Sequence, residues 1–264
     1  MRELRTGIAL AIEAMRTRQP LVHGATGSVT RSLVADGLLA AGARPMLTES
    51  LEEAPTLVTV ADALLVNLGS LSSDGMRGFV PTARAAAEHS IPWVLDPTAI
   101  GLAPVRTPMS LELLTLGPTV VRGNASELLT LAGSAAGGRG ADSTASADDA
   151  VAAARLLAGK HDCVIAVSGA VDAITDGTRT VRVASGSRQL TRITGAGCLL
   201  GALTAAHVVG ASPFVGAVAA TALLTVASER VGHLRPGSFR VALLDALDEV
   251  GADEVAAEVQ LSWE

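Results

Sequence analysis

Aromatic residues are nearly missing from this chain: three Phe, two Trp and no Tyr stand among 264 residues. A core built without them relies on Ala, Val and Leu. Each buries less area than an aromatic ring, but small side chains let helix and sheet approach closely. Lysine is scarcer still, with Lys160 alone. No Gly-x-x-x-x-Gly-Lys-Ser/Thr run occurs, so any phosphate must be held by backbone amides, arginine and a metal. The net charge is -6 with no basic cluster, and few rings could stack on bases, which argues against nucleic acid as a partner. No apolar run approaches the ~20 residues of a membrane span, so no membrane is expected either. The only cysteines, Cys163 and Cys198, make no disulfide framework; a reducing cytoplasm is the expected compartment. Met1-Arg2-Glu3-Leu4-Arg5 carries both signs of charge and leads into an amphipathic helix, unlike a signal peptide.

What is present is alternation. Short apolar runs, read as strands, are Leu21–His23, Pro45–Leu47, Ala63–Leu68, Trp93–Leu95, Thr119–Arg122 and Cys163–Val167. Ala/Leu-rich stretches at 3–17, 28–41, 52–60, 74–90, 109–115, 125–132, 146–159, 197–209, 212–231 and 238–248 read as helices. Near-continuous apolar strands between helices predict a parallel sheet covered on both faces. Asp172–Thr175 and Thr180–Val183, joined around Asp176-Gly177, read as a hairpin that adds an antiparallel edge. The Gly/Ala/Ser-rich segment Ala132–Ser146 reads as a flexible surface loop. Without a repeat or linker, residues 1–264 form one expected domain.

Arg192-Ile193-Thr194-Gly195-Ala196-Gly197-Cys198, followed by an apolar helix, is the most informative stretch. A glycine turn there can offer backbone N–H groups at a helix N-terminus, where the dipole also favours a phosphate. Gly195, Ala196 and Gly197 are the candidate anion hole. Cys198, in the first helical turn, is expected to carry a lowered thiol pKa. A Gly-x-Gly before a helix also occurs where a helix merely packs closely on a sheet, and a free cysteine can be a small core hydrophobe. Cys163, inside an apolar strand, reads as inert core.

Polar residues follow several strands: Asn67, Asp96-Pro97, Arg122-Gly123-Asn124 and Ser168-Gly169. Ligands of open parallel sheets bind outside the carboxyl ends of the strands, so these residues mark one site. Asn124-Ala125-Ser126-Glu127 resembles a helix capping box. Alternatively, Glu127 and Asp96 supply oxygens for Mg²⁺ on a nucleotide. Arg122 has the planar fork suited to phosphate. Met46 and His23 could each be core, and no His or Cys pair has zinc spacing.

Taken together the pieces resemble the hydroxyethylthiazole kinases, of ribokinase-like fold. They are Pro20–His23, Asp36–Met46, Ala61–Leu71, Val94–Pro97, Arg122–Glu127, Gly140–Ser143, Val167–Asp172 and Thr194–Cys198, in family order. The resemblance implies a three-layer α/β/α sandwich and ATP-dependent phosphorylation of the hydroxyethyl group of 4-methyl-5-(2-hydroxyethyl)thiazole. It implies Mg²⁺ and a homotrimer with active sites at subunit interfaces. By the same resemblance Met46 and Gly195 meet the thiazole, Arg122, Asn124, Ser168 and Thr194 bind ATP, Asp96 and Glu127 hold the metal, and Cys198 stands at the catalytic position. The chain departs from the family pattern at Gly27, at Asp36-Gly37, at Thr98–Gly101 and at Ala170. Gly27 and Asp36 fall near the expected alcohol pocket or the subunit contact beside it, and Gly27 deletes a polar side chain that could have held the ligand. These leave two alternatives: a kinase of another small heterocyclic alcohol, or a non-catalytic thiazole-binding protein.

Overall fold

A computed structural model describes residues 1–133 and 147–264. Most of the loop expected between Ala132 and Ser146, and the Gly140–Ser143 motif, lie outside the described residues. The described chain forms nine strands and eleven α-helices, in the order α1 (Arg2–Arg18), β1 (Leu21–Ala25), α2 (Arg31–Ala41), β2 (Arg44–Met46), α3 (Ala54–Leu57), β3 (Ala63–Asn67), α4 (Ser73–Glu88), β4 (Trp93–Asp96), α5 (Arg106–Leu114), β5 (Val120–Asn124), α6 (Ala125–Leu131), α7 (Ala147–His161), β6 (Val164–Ser168), β7 (Asp172–Thr175), β8 (Thr180–Val183), α8 (Ala196–Val208), α9 (Pro213–Arg230), α10 (Pro236–Glu249), α11 (Ala252–Glu258) and β9 (Leu261–Trp263).

One sheet runs β2-β1-β3-β4-β5-β6-β7-β8-β9. The pairs from β2 to β6 are parallel and those from β6 to β9 antiparallel. The antiparallel edge therefore extends one strand beyond the hairpin. β9 and α11 were not among the expected elements: three residues of strand and two turns of helix give too little periodicity to stand out. The expected helix over 52–60 is also broken. It splits into α3 and a 3₁₀ turn at Val58–Val60, where three β-branched residues in Val58-Thr59-Val60 crowd a helix.

Strand alternation builds a core on each face. Ala63, Leu65, Val94, Val120 and Ala166 face one core, which α1, α2 and α8 to α11 cover. Leu64, Val66, Leu95, Val121 and Ile165 face the other, filled by side chains of α4 to α7. The result is the three-layer α/β/α sandwich. α8 and α9 are apolar all round because they are buried nearly all round. Among the described residues no helix is long and apolar enough to cross a membrane.

Candidate active site

The same alternation gathers the polar strand ends. Asn67, Asp96, Arg122 and Ser168 each lie two positions beyond a residue of the α8-side core: Leu65, Val94, Val120 and Ala166. A period of two turns them all toward the face that α8 covers. Register sets Asn67 opposite Asp96 and Ser168 opposite Asn124, two residues beyond Arg122.

α8 enters over them through the glycine turn. Gly195 is its N-cap in the left-handed region, φ +95°, where a side chain would be strained. A Cβ at Gly197 would lie 3.0 Å from Arg122 Nη1, and one at Gly201 would lie 3.6 Å from Asp96 Oδ2. Missing side chains therefore let the helix end settle on the arginine and the acid. The N–H groups of Ala196, Gly197 and Cys198 belong to the first turn, which has no intrahelical acceptors. Thr194 just before the turn is exposed.

Arg122 is the centre of the charge network. Nη1 donates to Asp96 Oδ2 at 2.9 Å and Nη2 donates to Ser168 Oγ at 2.7 Å. Burial disfavours its charge, but Asp96, Glu127 and Asp172 outweigh that and hold the guanidinium above its ordinary range. Asp96 Oδ1 accepts from Thr98 Oγ1 at 2.7 Å. The capping box is real: Asn124 Oδ1 accepts from the Glu127 N–H, and Glu127 Oε2 accepts from the Asn124 N–H. Glu127 does more than cap, since Oε1 accepts from the Ala99 N–H at 2.8 Å. Burial and the Asp96 charge raise the Glu127 pKa. The two acids and Arg122 thus form one electrostatic unit.

The expected low thiol pKa of Cys198 is not found. Burial, then the Asp96 charge, push it above its ordinary value, against the lowering effect of Thr30, Arg122 and Asn67. Desolvation and a neighbouring carboxylate outweigh the helix N-terminus. Cys163 is pushed up to about 12 by burial and Asp162, consistent with an inert core residue.

The polar surroundings of Cys198 were only partly foreseen. Thr26 Oγ1 contacts Asn67 Oδ1 at 3.4 Å and Thr30 Oγ1 at 3.3 Å, and Asn67 Nδ2 donates to Thr98 Oγ1 at 3.1 Å. Asn67 was legible as a polar strand end; Thr26, Thr30 and Thr98 gave no comparable signal. Asp172 was read only as the start of the hairpin. It accepts from the Gly169 N–H at 2.9 Å, and burial pushes its carboxyl up to about 6.

Met46 ends β2, opposite His23 of β1. Gly27 follows β1 in the crevice where the strand order reverses. A Cβ there would lie 2.3 Å from the Gly69 carbonyl oxygen and 2.7 Å from that of Ser70. The glycine is required by this close approach, so it is more than a deleted pocket group. Asp36 is exposed on α2 and accepts from Ser32, and within this chain it does not reach the strand ends. Gly37 beside it is where α2 packs on Leu199 of α8, 2.4 Å from a built Cβ. Ala170 lies exposed in the β6–β7 turn. A separate cavity of about 390 Å³, lined by Pro118, Cys163, Arg179 and Phe214, opens at the opposite end of the strands and holds none of these groups.

Comparison with known proteins gives a consistent result. The model of the hydroxyethylthiazole kinase family matches residues 12–253. A hydroxyethylthiazole kinase of Kineococcus radiotolerans is 46% identical over 258 residues, covering 97% of this chain and 94% of that one. One of Clavibacter sepedonicus is 47% identical over 251 residues, covering 94% and 91%. The solved structure of a hydroxyethylthiazole kinase protein from Pyrococcus horikoshii OT3 superposes with a TM-score of 0.89 at 33% identity, covering 100% of both chains. Staphylococcus aureus pyridoxal kinase in complex with ADP shares the fold, with a TM-score of 0.60 at 18% identity over 92% of this chain and 98% of that one.

Proposed function

The chain belongs to the hydroxyethylthiazole kinase family, and from that premise we propose how its site works. It transfers the terminal phosphoryl group of ATP to the hydroxyethyl oxygen of 4-methyl-5-(2-hydroxyethyl)thiazole, a step of thiamine salvage. One observation carries the assignment of residues: the Arg122 fork, joined to Asp96 and Ser168, lies directly against Gly197 in the anion-hole turn. Fixed positive charge and free amides meet there, which suits a transferring phosphoryl group.

The alcohol occupies the crevice beside Met46, Gly27 and Gly195, and the triphosphate occupies the side of Arg122, Asn124, Ser168 and Thr194. The alcohol oxygen bonds to phosphorus as the bond to the ADP oxygen breaks. The amides of Ala196, Gly197 and Cys198 hold the equatorial oxygens. Cys198 is the catalytic residue at the alcohol. Its raised pKa keeps it a neutral thiol that orients the hydroxyl through a hydrogen bond, and the hydroxyl proton passes to the oxygens of the transferred phosphoryl group as the new bond completes. Phosphoryl transfer through a loose transition state asks little of a base early on.

Asp96 and Glu127 suit Mg²⁺. Among the described residues no three His, Cys, Asp or Glu side chains cluster as a metal cage. Mg²⁺ that arrives on a triphosphate keeps several waters and needs only one or two carboxylates. Each oxygen of Asp96 and Glu127 already accepts one hydrogen bond and retains a lone pair for such waters. The ion would neutralise charge on the triphosphate.

The working enzyme is a homotrimer with sites at the subunit interfaces. Exposed Val29 and Leu39, just before and on α2, and Leu51, on the loop that follows β2, support this, since α2 packs on the edge strand β2 beside the alcohol side. Two free cysteines suit a reducing cytoplasm. A coupled ADP-release assay with Mg²⁺ and the thiazole alcohol, against a no-alcohol control, tests the reading. Alcohol-dependent turnover is expected. Turnover only with another heterocyclic alcohol would change the substrate. ATP binding without turnover on any alcohol would leave a thiazole-binding protein.

A further inference from the structure

Glu49 has no part in the chemistry above, yet it is a buried carboxylate, 8% exposed, on the loop between β2 and α3. Its Oε1 lies 2.5 Å from Arg31 Nη2 and accepts from Ser72 Oγ at 2.9 Å. Its Oε2 is buried without a partner. Arg31 opens α2, and its Nε donates to the Thr26 carbonyl at 3.1 Å. Ser72 is the N-cap of α4 and accepts from the Gly75 N–H at 2.9 Å. Glu49 also rests on α4 through its backbone: a Cβ at Gly78 would lie 2.0 Å from its carbonyl oxygen.

One carboxylate oxygen is therefore where the loops after β1, β2 and β3 meet. Glu49 has given up most of its hydration, while Arg31 keeps 35% of its side chain exposed, so the buried carboxylate is tolerated only where its partners are well held. Charge-assisted bonds are about twice as strong as neutral ones, so the three loops are drawn together tightly. The consequence is visible at Gly27, pressed against Gly69 and Ser70, and at Ser70, which adopts φ +49°. Arg122, Asn124 and Ser168, on the nucleotide side, bond to none of the three.

We propose that Arg31, Glu49 and Ser72 form a clamp that positions the alcohol-binding loops and so sets affinity for the acceptor alcohol. The three are positioning residues, and the inference rests on the reading of Gly27 and Met46 as the alcohol side. The residues of the triphosphate side bond to none of the three loops, so its effect is selective. It acts on the acceptor crevice and leaves the triphosphate side alone.

Steady-state kinetics on Glu49→Gln, Arg31→Gln and the double variant read this directly, together with hydrogen–deuterium exchange without substrate. Each single variant is expected to raise KM for the alcohol about tenfold, since small misplacements of a positioned substrate are costly. KM for ATP should hold within about twofold, and the double variant should be no worse than either single. Exchange should quicken both at Gly27–Arg31 and at Gly69–Gly75, far from Glu49 in sequence. Equal rises in both KM values, an unchanged alcohol KM, or exchange that stays unaltered would each overturn the clamp. Failure of the wild-type enzyme to turn over the thiazole alcohol would instead remove the functional reading, with the exchange data still deciding whether the clamp holds the loops.

Discussion

Replacing Gly27 by Ala separates two physical effects of opposite sign. Gly27 does not lie among the positive-φ positions, so alanine meets no backbone penalty there. By the entropy of the unfolded chain alone, Gly→Ala should stabilise by about 0.4–1 kcal/mol. Packing says the reverse. The added Cβ would sit 2.3 Å from the Gly69 carbonyl oxygen, so the backbone must retreat by roughly 1 Å, and overpacking of that kind costs about 1–3 kcal/mol. The net expectation is destabilisation by about 1–2 kcal/mol. At roughly 2–4 °C per kcal/mol for a chain of this size, Tm should fall by several degrees. Gly159 of α7 is the internal control, because a Cβ there meets nothing within 4 Å. Alanine at 159 should gain about 0.5–1 kcal/mol from helix propensity. Thermal melts of both variants, with alcohol and ATP KM values, complete the comparison. Gly27→Ala should also raise the alcohol KM and spare that for ATP. If the two variants shift Tm in the same direction, or if Gly27→Ala leaves both Tm and alcohol KM untouched, the close approach at the crevice does not constrain this protein.

Three further outcomes are expected. The Asp172 carboxyl, pushed by burial up to about 6, holds its proton more tightly folded than unfolded; its contribution is present at low pH and lost as pH rises from the ordinary carboxylate range to about 6. Denaturation curves from pH 4 to pH 7 should show this, and Asp172→Asn should remove about 1–3 kcal/mol of the decline; an unchanged slope refutes it. Arg122→Met strands buried Asp96 and should cost about 3–5 kcal/mol along with nearly all turnover. Arg122→Lys should recover much of the stability but little activity, because lysine lacks the fork that spans Asp96 and Ser168; equal behaviour of the two variants in denaturant would contradict that. Cys198→Ser should lower kcat by about tenfold or more, and full turnover would end its catalytic role; because burial and Asp96 raise the thiol pKa, Cys198 should alkylate more slowly than a free thiol at the same pH.

Much of this protein was legible in its residues. Apolar runs such as Leu64–Val66 and Val120–Val121 can be satisfied only inside a doubly covered sheet, because both faces are hydrophobic. The polar residues that close those runs therefore had to lie at the carboxyl edge. Strand alternation is local, so the common direction of Asn67, Asp96, Arg122 and Ser168 follows from the chain itself. So does the Asn124–Glu127 capping box, a device four residues long.

What the tertiary structure decided are the quantities that depend on non-local neighbours. The thiol of Cys198 has a raised pKa because the fold buries it beside Asp96, and no helix-terminus rule could weigh that desolvation. Gly27 reads as a lost side chain until Gly69, forty-two positions on, is found in the same space. Glu49 and Arg31 are ordinary surface residue types until three separate loops converge on one oxygen. β9 joins the sheet because β8 offers it an open edge. Patterning along a chain reports which face is buried; which groups then meet, and at what cost in hydration, is settled only when distant segments share one volume.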